Sequence, residues 1–118
     1  MIRRTRVATF SPFAVSFTVT CAFFINLCAW IFSCGCHALW AGADAMCNIH
    51  AAQGRHCPWC SHGQTGYLVT MVVLSAPQLA VSMFAPWRWT IRTAAAVALF
   101  PVVGVLFALV SGWYDGYW

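Results

Sequence analysis

The sequence predicts an all-α membrane protein: three transmembrane helices, N-terminus cytoplasmic, with a Cys/His-rich extracytoplasmic loop that contains a short helix. Three observations carry that prediction. The chain is too poor in charge for a water-facing surface. It holds three apolar runs of spanning length. It also gathers most of its cysteines and all of its histidines between the first two runs.

Of 118 residues, 62% are hydrophobic and only 7% charged, whereas a soluble domain carries about a quarter charged residues. Solubility needs ionic groups outside, so lipid must be the solvent over much of this surface. The length suits a single membrane domain, 1–118, rather than two domains. A net charge of +4 without a clustered basic face excludes a nucleic-acid footprint.

The first span covers about 10–33, interrupted only by small or weakly polar residues such as Thr18, Thr20 and Asn26. The second covers about 66–85, with Pro77 and Gln78 in its middle, and the third about 93–113, with Pro101 and Gly104. About twenty residues at 1.5 Å each cross a hydrocarbon core near 30 Å. Proline is tolerated in such helices because neighbouring groups satisfy the freed carbonyl, and kinks are expected near Pro77 and Pro101. Asn26 and Gln78, the most polar groups of the spans, are expected to hydrogen-bond to another helix.

All six basic residues are arginine. With the N-terminus inside, Arg3, Arg4, Arg6, Arg88 and Arg92 share the cytoplasmic side and only Arg55 falls outside, as the positive-inside rule favours. Trp87 and Trp89 then sit at the inner turn, and Trp113, Tyr114, Tyr117 and Trp118 at the outer end, where aromatic rings anchor at headgroup level. The expected location is a bacterial inner membrane, with the loop 34–65 and the C-terminus on the periplasmic side. The basic start before an apolar stretch reads as an uncleaved signal-anchor. Ile31-Phe32-Ser33-Cys34 does not make a lipoprotein cleavage box, because Phe32 is too bulky.

Nine soft or borderline ligands lie within 29 residues of the loop: Cys34, Cys36, His37, Cys47, His50, His56, Cys57, Cys60 and His62. Cys47-x2-His50 and Cys57-x2-Cys60 supply four corners of a tetrahedral site, since a tight Cys-x2-Cys turn points both sulfurs at one ion. Ala38–Gln53 reads as a short helix that would put Cys47 and His50 on one face, with Asp44 placed to support them. Zinc is the expected metal and copper its alternative. Cys34, Cys36, His37, His56 and His62 are candidates for a second site or for disulfides.

Disulfides alone are the rival to metal, because the loop would face an oxidising compartment. Five loop cysteines leave one unpaired, however, and the histidines have no role in a disulfide framework. Cys21 and Cys28, within the first span, read as small hydrophobes.

Cys57-Pro58-Trp59-Cys60 near the outer end of a membrane helix resembles the reactive pair of the membrane quinone-linked disulfide oxidases. That resemblance covers four residues and implies thiol exchange at Cys57 and Cys60. Those proteins use four helices and a second cysteine pair, whereas this chain has three helices. Covalent haem needs Cys-x-x-Cys-His, but Ser61 separates Cys60 from His62. No ionisable carboxylate, lysine or arginine lies within a span, which disfavours an autonomous pump, and no acid–base set for a self-sufficient enzyme stands out.

These residues lead to an expected role as a small accessory or structural subunit of a larger membrane complex, partnered by other integral membrane subunits and lipid, its loop stapled by metal. The alternatives are a copper- or zinc-handling protein that supplies an outer-side metalloenzyme, and a thiol oxidoreductase.

Overall fold

The computed structural model describes residues 2–118 apart from Asp44, with side chains from Thr9 onward. Asp44 and the side chains of Arg3, Arg4 and Arg6 therefore lie outside the described residues. The described chain is helical. Helix α1 spans Ile2–Phe32, a one-turn helix α2 spans Pro58–Ser61, α3 spans Gly63–Phe84 and α4 spans Trp89–Tyr114. Three segments are long and apolar enough to cross a membrane, Thr9–Phe32, Gly63–Phe84 and Trp89–Tyr114, within a few residues of the predicted bounds.

The three long helices pack as an up–down–up bundle, and each buries one residue in four. On α1 the stripe is Pro12, Ser16, Thr20, Phe24, Cys28 and Phe32. On α3 it is Thr70, Leu74, Gln78 and Ser82, and on α4 it is Ala96, Phe100, Gly104, Ala108 and Gly112. Residues four apart form the ridges that interdigitate between helices, and small residues on such ridges let membrane helices approach closely. A Cβ on Gly104 would lie 2.4 Å from the Leu27 side chain, so α4 meets α1 at a point where only glycine fits without a shift.

Polar groups on these stripes are paired. Gln78 Nε2 donates to Thr20 Oγ1 at 2.9 Å, and Thr20 in turn donates to the Ser16 carbonyl at 2.9 Å. Ser82 Oγ accepts from the Phe13 N–H at 3.0 Å and donates to the Thr9 carbonyl. A hydroxyl is thus inserted into the α1 hydrogen-bond ladder just after Pro12, a recognised way for a helix to absorb a proline. Asn26, by contrast, is exposed on the outer surface of α1, so the two polar span residues behave differently. Helices α3 and α4 run unbroken past Pro77 and Pro101.

The segment between α1 and α2 departs from expectation. Ala38–Gln53 is not one helix: its described residues form two 3-10 turns, Leu39–Ala41 and Asn48–His50. Gly42 at φ 110° and Ala43 at φ 51° take left-handed conformations that stop the first turn. The Asn48 N–H then bonds to the Cys34 carbonyl at 2.7 Å, tying the loop back to the end of α1. The C-terminus folds over the same end. Gly116, at φ 69°, caps α4, and the Tyr117 N–H returns to the Gly112 carbonyl at 2.7 Å, the bond pattern of a Schellman cap. Tyr117 and Trp118 are thereby swung back onto the Phe32 ring.

Candidate metal centre

The loop, the end of α1 and the one-turn helix α2 converge on six cysteines. Helix α1 brings Cys28 from its buried stripe, one turn before its end. Ser33 turns the chain at φ 49° and Gly35 at φ 87°, so that Cys34 and Cys36 both point inward. The second 3-10 turn begins after Cys47, which points inward too. Pro58 opens α2 at its first position, where its missing N–H costs nothing, and the single turn places Cys57 and Cys60 side by side.

Trp59 bolts this turn into the bundle. Its ring stacks on Phe24 at 5.5 Å and on Phe107 at 6.1 Å, and meets the edge of Phe32 at 5.4 Å. Its indole N–H donates to Ser111 Oγ at 3.1 Å. Asn48 secures the other side: Oδ1 accepts from the Cys57 N–H at 2.7 Å while Nδ2 donates to the Tyr117 hydroxyl at 3.2 Å. That hydroxyl donates to the Phe32 carbonyl. Arg55 donates to the Tyr117 carbonyl, which brings the one arginine of the loop to this lid.

All six sulfurs are free thiols, and all six residues are buried. Cys28 Sγ lies 3.2 Å from Cys57, 3.9 Å from Cys34 and 4.0 Å from Cys60, and Cys34 lies 3.3 Å from Cys36. Four triads that share no pair of cysteines have sulfurs within 4.8 Å of one another: Cys28, Cys57 and Cys60; Cys28, Cys34 and Cys36; Cys34, Cys47 and Cys57; Cys36, Cys47 and Cys60. The cluster could therefore hold a metal ion.

Electrostatics within the cluster is uneven. Hydrogen bonds from Cys28 and then Cys57 hold the Cys34 thiol down to about 2, and the same two donors hold Cys60 down to about 3, helped by the Tyr67 hydroxyl. Burial pushes Cys36 up and raises Cys47 to about 11. Backbone N–H groups of Cys36 and Ile49 also donate to the Cys34 and Cys47 sulfurs. A buried nest of thiols with donors already aimed at sulfur is prepared for a cation.

The residues singled out in sequence separate into two sets. Cys47, Cys57 and Cys60 are in the cluster with Cys34 and Cys36. His50 is exposed and in none of the triads, as are His37, His56 and His62. His56 donates to the Ala51 carbonyl at 3.1 Å, and His62 pairs with Asp115 at 2.8 Å. Cys21 is exposed on α1, whereas Cys28, read in sequence as a small hydrophobe, completes the set. The cue for it is its register: Cys28 falls on the Ser16–Thr20 stripe and Cys21 does not. Trp87 and Trp89 are half-exposed at the α3–α4 turn, with Trp113 and Trp118 at the opposite end; Tyr117 instead turns inward to Asn48.

An apolar groove of about 400 Å³ between α3 and α4 runs beside Trp59, with His62 and Asp115 at its rim. Comparison with protein-family models, with curated proteins and with solved structures finds no match for this chain.

Proposed function

We propose that this is an integral membrane metal-handling protein, oriented with its N-terminus in the cytoplasm, which holds thiophilic metal at the outer end of its helix bundle. The observation that carries the reading is the six-cysteine cluster. Soft thiolate ligands select copper(I) or zinc over harder ions. Supplied by α1, the loop and α2, they also staple the loop to a bundle too small to order it by apolar burial alone.

Sequence parity no longer argues against disulfides, because Cys28 makes the set six. Geometry does so instead. A disulfide framework pairs each sulfur with one partner at about 2.05 Å, whereas Cys28 alone has three sulfur neighbours between 3.2 and 4.0 Å. A thiol-exchange role for Cys57 and Cys60 needs an accessible attacking sulfur, and both are buried, Cys57 fully.

A second reading, as a subunit of a larger membrane complex, is favoured by Asn26. Its amide faces outward within a span, where polar groups seek a partner helix.

The test is metal analysis of the protein purified anaerobically in detergent, paired with thiol counting after denaturation. Bound copper or zinc that is retained by wild type and lost in Cys47→Ser and Cys60→Ser supports metal handling. Metal-free protein carrying three disulfides would end it.

A further inference from the structure

The triads have a property beyond proximity. Each of the six cysteines belongs to two of them, and no pair of cysteines recurs. The triads therefore account for twelve of the fifteen possible pairs, leaving out only Cys28 with Cys47, Cys34 with Cys60 and Cys36 with Cys57. Six points, each adjacent to four others and opposite one, are the corners of an octahedron. The four triads share corners but no edge, so they form one of its two sets of alternate faces, and the other set is bounded by the same twelve edges.

That arrangement distinguishes between ways of binding metal. A single ion at the centre of six sulfurs about 2.3 Å away would hold every edge near 3.3 Å, yet two edges measure 3.9 and 4.0 Å. Six ligands also exceed the four that zinc takes in protein sites. Zinc seated on a face would need water as its fourth donor in a nest of buried sulfurs, since no histidine or carboxylate joins any triad among the described residues. A trigonal ion about 2.3 Å from each of three sulfurs sets those sulfurs about 4.0 Å apart. The measured edges, 3.2, 3.3, 3.9 and 4.0 Å, with all twelve inside 4.8 Å, bracket that value. Monovalent copper is the thiophilic ion that accepts three-coordination, having a filled d shell and a low charge to satisfy.

We propose that the cluster binds four copper(I) ions, one on each alternate face, with every cysteine sulfur bridging two of them. This rests on the metal-handling reading and specifies its cargo. Four cuprous ions displace the protons of six thiols, which leave to solvent. The product is a Cu4S6 unit of net charge −2, and no electron is transferred. Arg55 at the Tyr117 carbonyl, the Cys36 and Ile49 amides and the Tyr67 hydroxyl are the local groups that offset this charge. At the same bond length, neighbouring coppers would lie about 2.7 Å apart.

The experiment uses the full chain in detergent, reduced and kept anaerobic, titrated with copper(I) acetonitrile complex against a chromophoric copper(I) chelator. Binding should saturate near four coppers per chain, and X-ray absorption should show sulfur-only ligation with a short copper–copper distance. Because each cysteine serves two faces, Cys28→Ser should hold two coppers or fewer, while Cys21→Ser should hold four. A measurement on the loaded wild type guards against misfolding of the variant. A membrane-permeant maleimide should label Cys21 and spare the other six cysteines. Saturation at one copper without a short copper–copper distance would overturn the cluster yet leave a thiolate metal site. Binding of neither copper nor zinc through cysteine would overturn both.

Discussion

Gly35 is the position at which a single methyl group should do most damage to the proposed metal centre. It lies between Cys34 and Cys36 at φ 87°, and a Cβ built there would come 2.6 Å from the Met46 carbonyl oxygen. Two costs combine in Gly35→Ala. Left-handed backbone costs an L-residue about 1–2 kcal/mol. The collision is with backbone rather than a flexible side-chain tip, so the Met46 segment must move by several tenths of an ångström, an overpacking cost of about 1–3 kcal/mol. Met46 precedes Cys47, so the displacement reaches a third cysteine of the cluster. The total of about 2–5 kcal/mol corresponds to at least about a 30-fold weaker apparent metal affinity where loop order and binding are coupled. Gly54→Ala is the control. It shares the positive φ, at 102°, but its Cβ meets nothing within 4 Å, so only the backbone cost applies and the loss should stay near 10-fold. The assay is competition against a copper(I) chelator for both variants. If the Gly35 variant binds as tightly as the Gly54 variant, the Met46 contact does not constrain the ligand loop and the argument fails.

Two further outcomes follow from the packing and the charges. Trp59→Ala removes a buried ring stacked on Phe24 and Phe107 and should destabilise the bundle by about 3–5 kcal/mol, while Trp59→Phe should recover most of it; equal thermal midpoints for Trp59→Ala and wild type would refute the bolting role. The metal-free protein should lose stability as pH rises from about 9 to 11. Cys47 is raised from 9.0 to about 11 and Cys36 is raised too, so over that window the unfolded chain releases protons that the folded chain retains, and unfolding is favoured. Metal-bound thiolates hold no proton while the unfolded thiols still carry some near pH 9, so the loaded protein should show no decline there and a small rise at the start of the window. A matching decline in both forms, followed by circular dichroism, would exclude this origin.

The spans were legible because length and apolarity are summed over about twenty residues, and no local choice overturns that sum. The loop cysteines were legible as a metal-prone group from their density alone. Which side chain points inward was not. Cys47 and His50 differ by three residues, yet the loop forms a 3-10 turn after Cys47 instead of a continuous helix, burying the one and exposing the other. The interruption at Gly42 and Ala43 is a backbone event that an Ala-rich composition conceals. Cys28 was hidden differently. In a hydropathy profile cysteine is one more apolar residue, and its seven-residue spacing from Cys21 suggests that the two are equivalent. Only the every-fourth register through Pro12, Ser16, Thr20 and Phe24 sets Cys28 on the buried stripe.

Placing a cysteine of the cluster on that stripe has a consequence for how the molecule holds together. Fewer than three in ten residues of any span are buried, and apolar surface facing lipid provides no drive to associate. The bundle must rely on close packing, on pairs such as Gln78 with Thr20, and on whatever ties the helices at their ends. Cys28 belongs to α1, and Cys57 and Cys60 lead directly into α3, so metal held by Cys28, Cys57 and Cys60 would clamp two helices at the ends that meet the cluster. Trp59, on the same turn, reaches Phe107 and Ser111 and brings in the third. Filling the cluster would then order the loop and the helix ends together, and emptying it would release both. Such coupling would let a protein this small register its metal content as a change in shape at the cluster end of its bundle.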